Sequence, residues 1–485
     1  MVKKNRLLLV FILPLFVFLT VQAQVDFTQD LFEELAANIN PIPYIETPAY
    51  KRVELDNGMV FYLAEERDLP VIEVLGFIRG GMSQESMEQA GISSLMARLM
   101  NTGTKNFSEL ELSRYKELNG LTFSISSALD HYNVTANALS HDKEALFTLM
   151  AEVLRNPKFD GDYFYRIIQE YYQALLQHFY YDSSLLDMYF NSTIYGDHPY
   201  GYNDNLGLVV AALQSMTPAA VESFYQENID PANIIMAISG DFDLAEMEEL
   251  LREKFADWET KGTELEERRV EENEANYNRI ILVNKPDATQ AKMKMGYSFY
   301  DNSYADRVAF TMANLVFGGG DFSSRLMDNL RSKQGYVYGI YSNFRLNERG
   351  GLYFITTDVA PEKACETREA IKAEFLAVKE GQAEISEEEL FRIVNLYNAF
   401  FPKTYKEQIS VLSEIMYARE ILGEGEDYIN NYISEYNNLS AEEVQEVFAR
   451  DTFPERFLTV IVGKKEDVLP AFQEQGIEVE VVELF

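Results

Sequence analysis

The chain repeats itself. Residues 217–241 (TPAAVESFYQENIDPANIIMAISGD) return 223 positions later as residues 440–464 (SAEEVQEVFARDTFPERFLTVIVGK), pairing Thr217 with Ser440, Val221 with Val444, Pro231 with Pro454 and Gly240 with Gly463. A Thr or Ser N-cap starts an amphipathic helix in each copy, aided by Pro218 in one and by a Ser440–Glu443 capping box in the other. A Pro turn follows, then a β-rich run closed by glycine. The fronts of the halves match as well, at an offset of 220. Val60-Phe61-Tyr62-Leu63 corresponds to Ile280-Ile281-Leu282-Val283, and each is followed by a polar turn and a second strand, residues 71–78 and 290–297. A duplication of this size leaves few architectures open: one domain type is used twice.

The halves fall at 45–258 and 277–485. Between them, residues 259–276 (ETKGTELEERRVEENEAN) are densely charged and nearly devoid of apolar side chains, which predicts a solvated linker. Strands at both ends of each half with helices between them predict an α+β class, a mainly antiparallel sheet with helices packed on one face. The aromatics of the first helical region, Tyr163, Phe164, Tyr165, Tyr171, Tyr172, Phe179, Tyr180 and Tyr181, are expected mostly in core and interhelix packing.

With 47% hydrophobic and 13% aromatic side chains the chain folds, despite a formal net charge of −36. That charge provides no basic footprint for nucleic acid or an anionic membrane surface. Lys3, Lys4 and Arg6, an apolar run over 7–19 and the small-residue site Val21-Gln22-Ala23 read as a signal peptide, residues 1–23. The run is too short to span a bilayer comfortably, so an exported protein, periplasmic or extracellular and without a stable membrane span, is expected. The histidines are His131, His141, His178 and His198, no two of them three or four residues apart, and Cys365 is the single cysteine. A Cys-rich zinc site and an intrachain disulfide are thereby excluded.

Several short segments then fall in a recognisable order. They are Gly80-Gly81 in FIRGGMSQES, Gly91-Ile92 and Gly103-Thr104 around a helix, Leu118-Asn119-Gly120, Asp197-His198-Pro199-Tyr200-Gly201, and residues 330–338, LRSKQGYVY. With the duplication, they make the chain resemble the pitrilysin/insulinase superfamily of inverzincin peptidases over nearly its whole length. The similarity is greatest to the two-domain subunits that include the mitochondrial processing peptidases. Members with activity carry H-x-x-E-H on the helix, two His zinc ligands flanking a Glu general base. Here the resemblance places Ser94, Ala97 and Arg98 at those positions, and Leu175 or Leu176 at the third ligand, a Glu in active members. None of these can supply the missing chemistry: alanine takes no proton and a permanently charged guanidinium repels a dication. No metal or other cofactor is expected in this chain.

The second half keeps what the first has lost. The resemblance assigns Arg331 and Tyr338, around Gly335, to an R-x-x-x-x-G-x-x-Y-like pattern whose guanidinium and phenol contact substrate at a zinc site. Gly318-Gly319-Gly320 lacks G-K-[ST] and is not a phosphate loop; the resemblance makes it a flexible lead into the Arg/Tyr segment. The implied function is a non-catalytic subunit of a heteromeric zinc peptidase. A homologous H-x-x-E-H subunit would hold the zinc, and this chain would complete the chamber for a peptide substrate. The halves are expected to face each other around such a chamber, with the emptied helix and the Arg331–Tyr338 segment near it. Two alternatives stand beside this reading. One is a peptide-binding scaffold using a sheet edge at Phe123, Ser124, Ile125 and Ser126, and the other is a hydrolase with unrecognised catalytic residues.

Overall fold

The repeated strands read as near-continuous apolar runs, VFYLAE, IIMAISG, IILVN and LTVIVG, the pattern of strands buried on both faces. A computed structural model shows what covers each face. It describes residues 42–484 except 160, 161, 179 and 321, so the expected signal peptide lies outside the described residues.

In the first half the strands are β1 (Lys51–Glu54), β2 (Val60–Glu65), β3 (Val71–Arg79), β4 (Thr122–Ser127), β5 (His131–Leu139) and β6 (Ile234–Gly240). In the second they are β7 (Ile280–Asn284), β8 (Ala291–Phe299), β9 (Val337–Arg345), β10 (Gly351–Val359), β11 (Leu458–Gly463) and β12 (Glu480–Glu483). The sheets run β1-β2-β6-β3-β5-β4 and β12-β7-β11-β8-β10-β9. Five strands of each therefore follow one order, and in both the first pairs with the fifth in parallel while the other pairings are antiparallel. The sixth strands differ. The first sheet adds the N-terminal β1 antiparallel to β2, and the second adds the C-terminal β12 parallel to β7.

The helices used below are α1 (Ile92–Met100), α2 (Asp162–His178), α3 (Asp182–Tyr195), α4 (Leu206–Ser215), α5 (Pro218–Asn228), α6 (Gln408–Tyr417) and α7 (Ala441–Asp451). The repeated helices start as the sequence predicts. Thr217 caps α5 by accepting from the Ala220 amide, and Ser440 and Glu443 form the reciprocal box at α7.

Alternate residues of the central strands divide between two cores. Phe61, Leu63, Met236 and Ile238 pack with helices of their own half. Tyr62, Ala64, Ile235 and Ala237 join, with Ile45, Val60 and Phe77, a core made mostly by the second half, including Ile409, Leu412 and Met416 of α6. Gln408 fixes that contact by donating to Ser239 Oγ (2.9 Å) and to the Glu65 carbonyl (3.2 Å). The exchange is mutual. Leu185, Leu186 and Phe190 of α3 pack with Ile281, Val283, Phe354 and Val460 on the second sheet. There the buried Lys294 meets Asp187 of α3 at 2.7 Å and lies over the Phe190 and Phe354 rings. Each sheet thus carries its own helices on one face and a helix of the other half on the second. The halves pack directly on one another instead of facing each other across a chamber, because both sheet faces are apolar and each needs a cover.

A buried cluster locks the junction. Arg349 pairs with Asp130 at 2.6 Å, and Asp130 also accepts from Tyr200 Oη (2.5 Å) and the Glu348 amide (3.1 Å). Arg349 donates further, through Nε and Nη2, to the Glu266 carbonyl. The charged segment 259–276 is therefore anchored, not slack. Asp230 accepts from the Lys261 amide, Gln84 accepts from the Glu266 amide, and the Val270 amide donates to the Arg349 carbonyl.

Candidate functional site

Helix α1 starts without a side-chain cap of its own. Gly91 stands at φ 88°, where a Cβ would meet the Tyr171 hydroxyl and Val209 at 3.2 Å. Glu85 does the capping from six residues upstream. Its carboxylate accepts from the Gly91 and Ser93 amides at 2.9 and 3.0 Å, from the Ser93 hydroxyl, and from Asn203 Nδ2 at 2.8 Å. Burial pushes its carboxyl up to about 7, against the lowering effect of these donors. Glu85, within FIRGGMSQES, is a functional side chain that sequence pattern alone does not single out. The available signal was an acidic residue placed just before a helix that opens with glycine.

The positions assigned to zinc chemistry come together on α1 and α2, but as packing. Ala97 and Leu175 are buried in one continuous apolar core that also holds Tyr171. Arg98, exposed, lies over the Tyr171 ring at 5.0 Å. Burial is the main force pushing the Tyr171 phenol up to about 12, with the Ser94 hydroxyl and the Arg98 charge acting the other way. A hydroxyl, a methyl, a guanidinium and an isobutyl group do not form a zinc-ligand set. Among the described residues no cluster of three or more His, Cys, Asp or Glu could hold a metal ion.

The aromatics of this region divide. Phe164 and Tyr171 are buried as expected, whereas Tyr165, Tyr180 and Tyr181 are exposed; Phe179 lies outside the described residues. α2 is amphipathic, and Tyr165 falls on its solvent side.

β4, which carries Phe123, Ser124, Ile125 and Ser126, lies at the edge of its sheet, with Phe123 and Ile125 turned into the core. The edge is not bare. Asn101, just past the end of α1, accepts from the Ile125 amide (3.2 Å) and donates to its carbonyl (2.8 Å). A peptide adding a strand here would have to displace the Asn101 amide.

Arg331 and Tyr338 are brought together at the free edge of the second sheet. Arg331 lies in a π-helical turn, Met327–Lys333, and its guanidinium sits 4.6 Å from the Phe322 ring centroid and 5.4 Å from that of Tyr338. No carboxylate among the described residues pairs with it. Tyr338 is the extra residue of a β-bulge: Val337 pairs with Val359 and Gly339 with Asp358, so Tyr338 has no partner on β10. It is 82% exposed and Phe322 65% exposed. A bulge re-aims a side chain out of the pleat, which accounts for this presentation. Phe322 is the member of the unit that sequence reasoning missed.

The neighbouring glycines are not a flexible lead. Leu315–Gly319 is a π-helical turn pressed against β9; a Cβ on Gly318 would come within 2.6 Å of Ser342 Oγ, and one on Gly320 within 2.5 Å of the Leu315 carbonyl. Glycine is required there for close approach, and the Arg331–Tyr338 unit stands on a tightly packed base.

Comparison with known proteins agrees with this geometry. Residues 71–203 match the family model described as Insulinase (Peptidase family M16), and residues 215–397 the one described as Peptidase M16 inactive domain. An uncharacterized zinc protease of Mycobacterium leprae is 24% identical over 304 residues, 62% of this chain and 67% of that protein. Helicobacter pylori has two relatives. Non-peptidase homolog YmxG is 20% identical over 87% of this chain and 96% of its own length, and zinc protease PqqE is 25% identical over 75% and 81%. The crystal structure of a peptidase M16 inactive domain from Pseudomonas fluorescens superposes with a TM-score of 0.76 at 20% identity, covering 86% of this chain and 98% of that one.

Proposed function

This chain belongs to the insulinase/pitrilysin-type peptidase superfamily, and from that premise we propose that it is the non-catalytic subunit of a heteromeric zinc metallopeptidase. The observation that carries the reading is the Arg331 guanidinium, held between two exposed rings with no carboxylate partner among the described residues. An unpaired, oriented fork of donors suits the carbonyl of a peptide and the charge that carbonyl gains during hydrolysis. Tyr338 adds a phenol beside it. The chain's own α1 carries no base or metal ligand for these groups to serve. Their acceptor is therefore a substrate held by a homologous H-x-x-E-H subunit, with the chamber formed between the two proteins. The occurrence in one organism, H. pylori, of relatives named non-peptidase homolog and zinc protease supports such a pairing.

The test is reconstitution. The exported chain is co-expressed with an H-x-x-E-H homologue from the same genome, and turnover of a peptide is measured for the complex. Arg331→Ala and Tyr338→Phe are expected to lower turnover by about a hundred- to a thousand-fold, the cost of losing a donor to a developing oxyanion. Assembly and zinc content of the partner stay unchanged. Rates within twofold of wild type would transfer the preference to a scaffold without a chemical role.

A further inference from the structure

A cavity among the described residues lies away from both elements discussed above. About 830 Å³ in volume, it opens between α2, α3 and α4 of the first half and is closed on one side by the second half. Tyr172, Leu176, Met188, Tyr189 and Val210 give it an apolar wall, and Leu484 completes it. That volume suits a small organic ligand.

Its charges are one-sided. Lys285 is the one cation on the wall, and its amine is already taken by Asp182 (3.1 Å) and Asp287 (2.8 Å). Asp204 also lines the cavity. Its Oδ2 accepts from Asn191 Nδ2 at 3.0 Å, and no lysine, arginine or histidine pairs with it among the described residues. Beside it Asn191 Oδ1 is buried without a donor. At the end of the apolar cavity this half-buried carboxylate feels the Lys294 and Arg345 charges but forms an ion pair with neither among the described residues, and its one side-chain donor is Asn191. Burial pushes the Asp204 carboxyl up to about 6, against the Asn191 bond, so it remains mostly ionised at neutral pH.

We propose that this cavity binds a small organic monocation, an ammonium group on an aromatic or aliphatic body, with the ammonium on Asp204 and the body against the wall of Tyr172, Leu176 and Val210. An anion of the same shape is disfavoured by the two lining carboxylates, Asp204 and Asp287, because the lining lysine, Lys285, is already paired. The inference does not depend on a peptidase role.

The experiment compares two probes of one shape, tryptamine and indole-3-propionate, by isothermal titration calorimetry on the full-length chain at neutral pH. Tryptamine is expected to bind at one site, at least about tenfold more tightly than the anion. Asp204→Asn should bring the two probes within about twofold of each other. Val210→Trp, which fills the cavity from its wall, should abolish tryptamine binding while circular dichroism remains that of the wild type. The proposal is overturned by equal affinity for the two probes, by no saturable tryptamine binding up to about 10 mM, by a preference that survives Asp204→Asn, or by binding that survives Val210→Trp.

Discussion

Replacing Arg349 by methionine should test whether the junction between the halves is held by its buried charge cluster. The side chains of Arg349 and Asp130 are 8% and 6% exposed, and the arginine comes from the second half while the aspartate comes from the first. Arg349→Met keeps much of the apolar stem but strands Asp130 with only Tyr200 and the Glu348 amide as donors to its carboxylate among the described residues. It also removes two donors from the Glu266 carbonyl. Breaking one side of a buried ion pair costs about 3–5 kcal/mol. With a urea slope of about 3 kcal/mol/M, the unfolding midpoint should fall by roughly 1–1.7 M. Adding Asp130→Asn removes the stranded charge and should recover at least about 1 kcal/mol. Urea denaturation followed by far-ultraviolet circular dichroism reads both values. A loss below about 1 kcal/mol for Arg349→Met, or a double variant less stable than the single one, would refute the assignment of a buried, charge-dependent lock.

Three further outcomes follow from the sites. Ser94→His, Ala97→Glu and Arg98→His together should leave the protein without stoichiometric zinc by elemental analysis, because a catalytic zinc needs three protein ligands and Leu175 is not one; zinc near one per chain would show the third-ligand position to be wrong. Asn101→Ala should cost about 1–3 kcal/mol by leaving the Ile125 backbone groups unpaired, and an unchanged urea midpoint would mean that the edge is satisfied some other way. Glu389 is raised by burial but lowered more by Arg325 and Ser386, to about 2 in the folded state, so its stabilising effect is present above the ordinary pKa of 4.5 and is lost as pH falls from there toward 2. Glu389→Gln should therefore flatten the acid limb of the stability–pH curve over that window, and an unaltered limb would contradict the sign.

The duplication, the N-caps at Thr217 and Ser440 and the edge placement of β4 were legible in sequence, since each rests on local pattern. What covers the second face of each sheet was not. Tyr62 and Ile281 announce burial on both sides of a strand, but a hydrophobic run does not say which helix lies on it, and the answer is a helix from the other half of the chain in each case. The site was readable in part. Arg331 and Tyr338 stand in a recognisable spacing, whereas the bulge at Tyr338, the Phe322 ring over the guanidinium and the Asn101 bonds to Ile125 depend on register and tertiary approach. Gly318 and Gly320 were misread for the same reason: composition cannot distinguish a glycine needed for freedom from one needed for contact.

The mutual covering of the sheets constrains how such a chain could arise or be divided. A single ancestral repeat with this topology would have left one sheet face bare, and a second copy of itself would have been the natural cover, each lending a helix to the other. On that account segment 259–276 would be the tether that joins the two copies. Cut there, neither fragment would be expected to remain soluble alone, whereas both produced in one cell should reassociate through α3 and α6 into the parent fold.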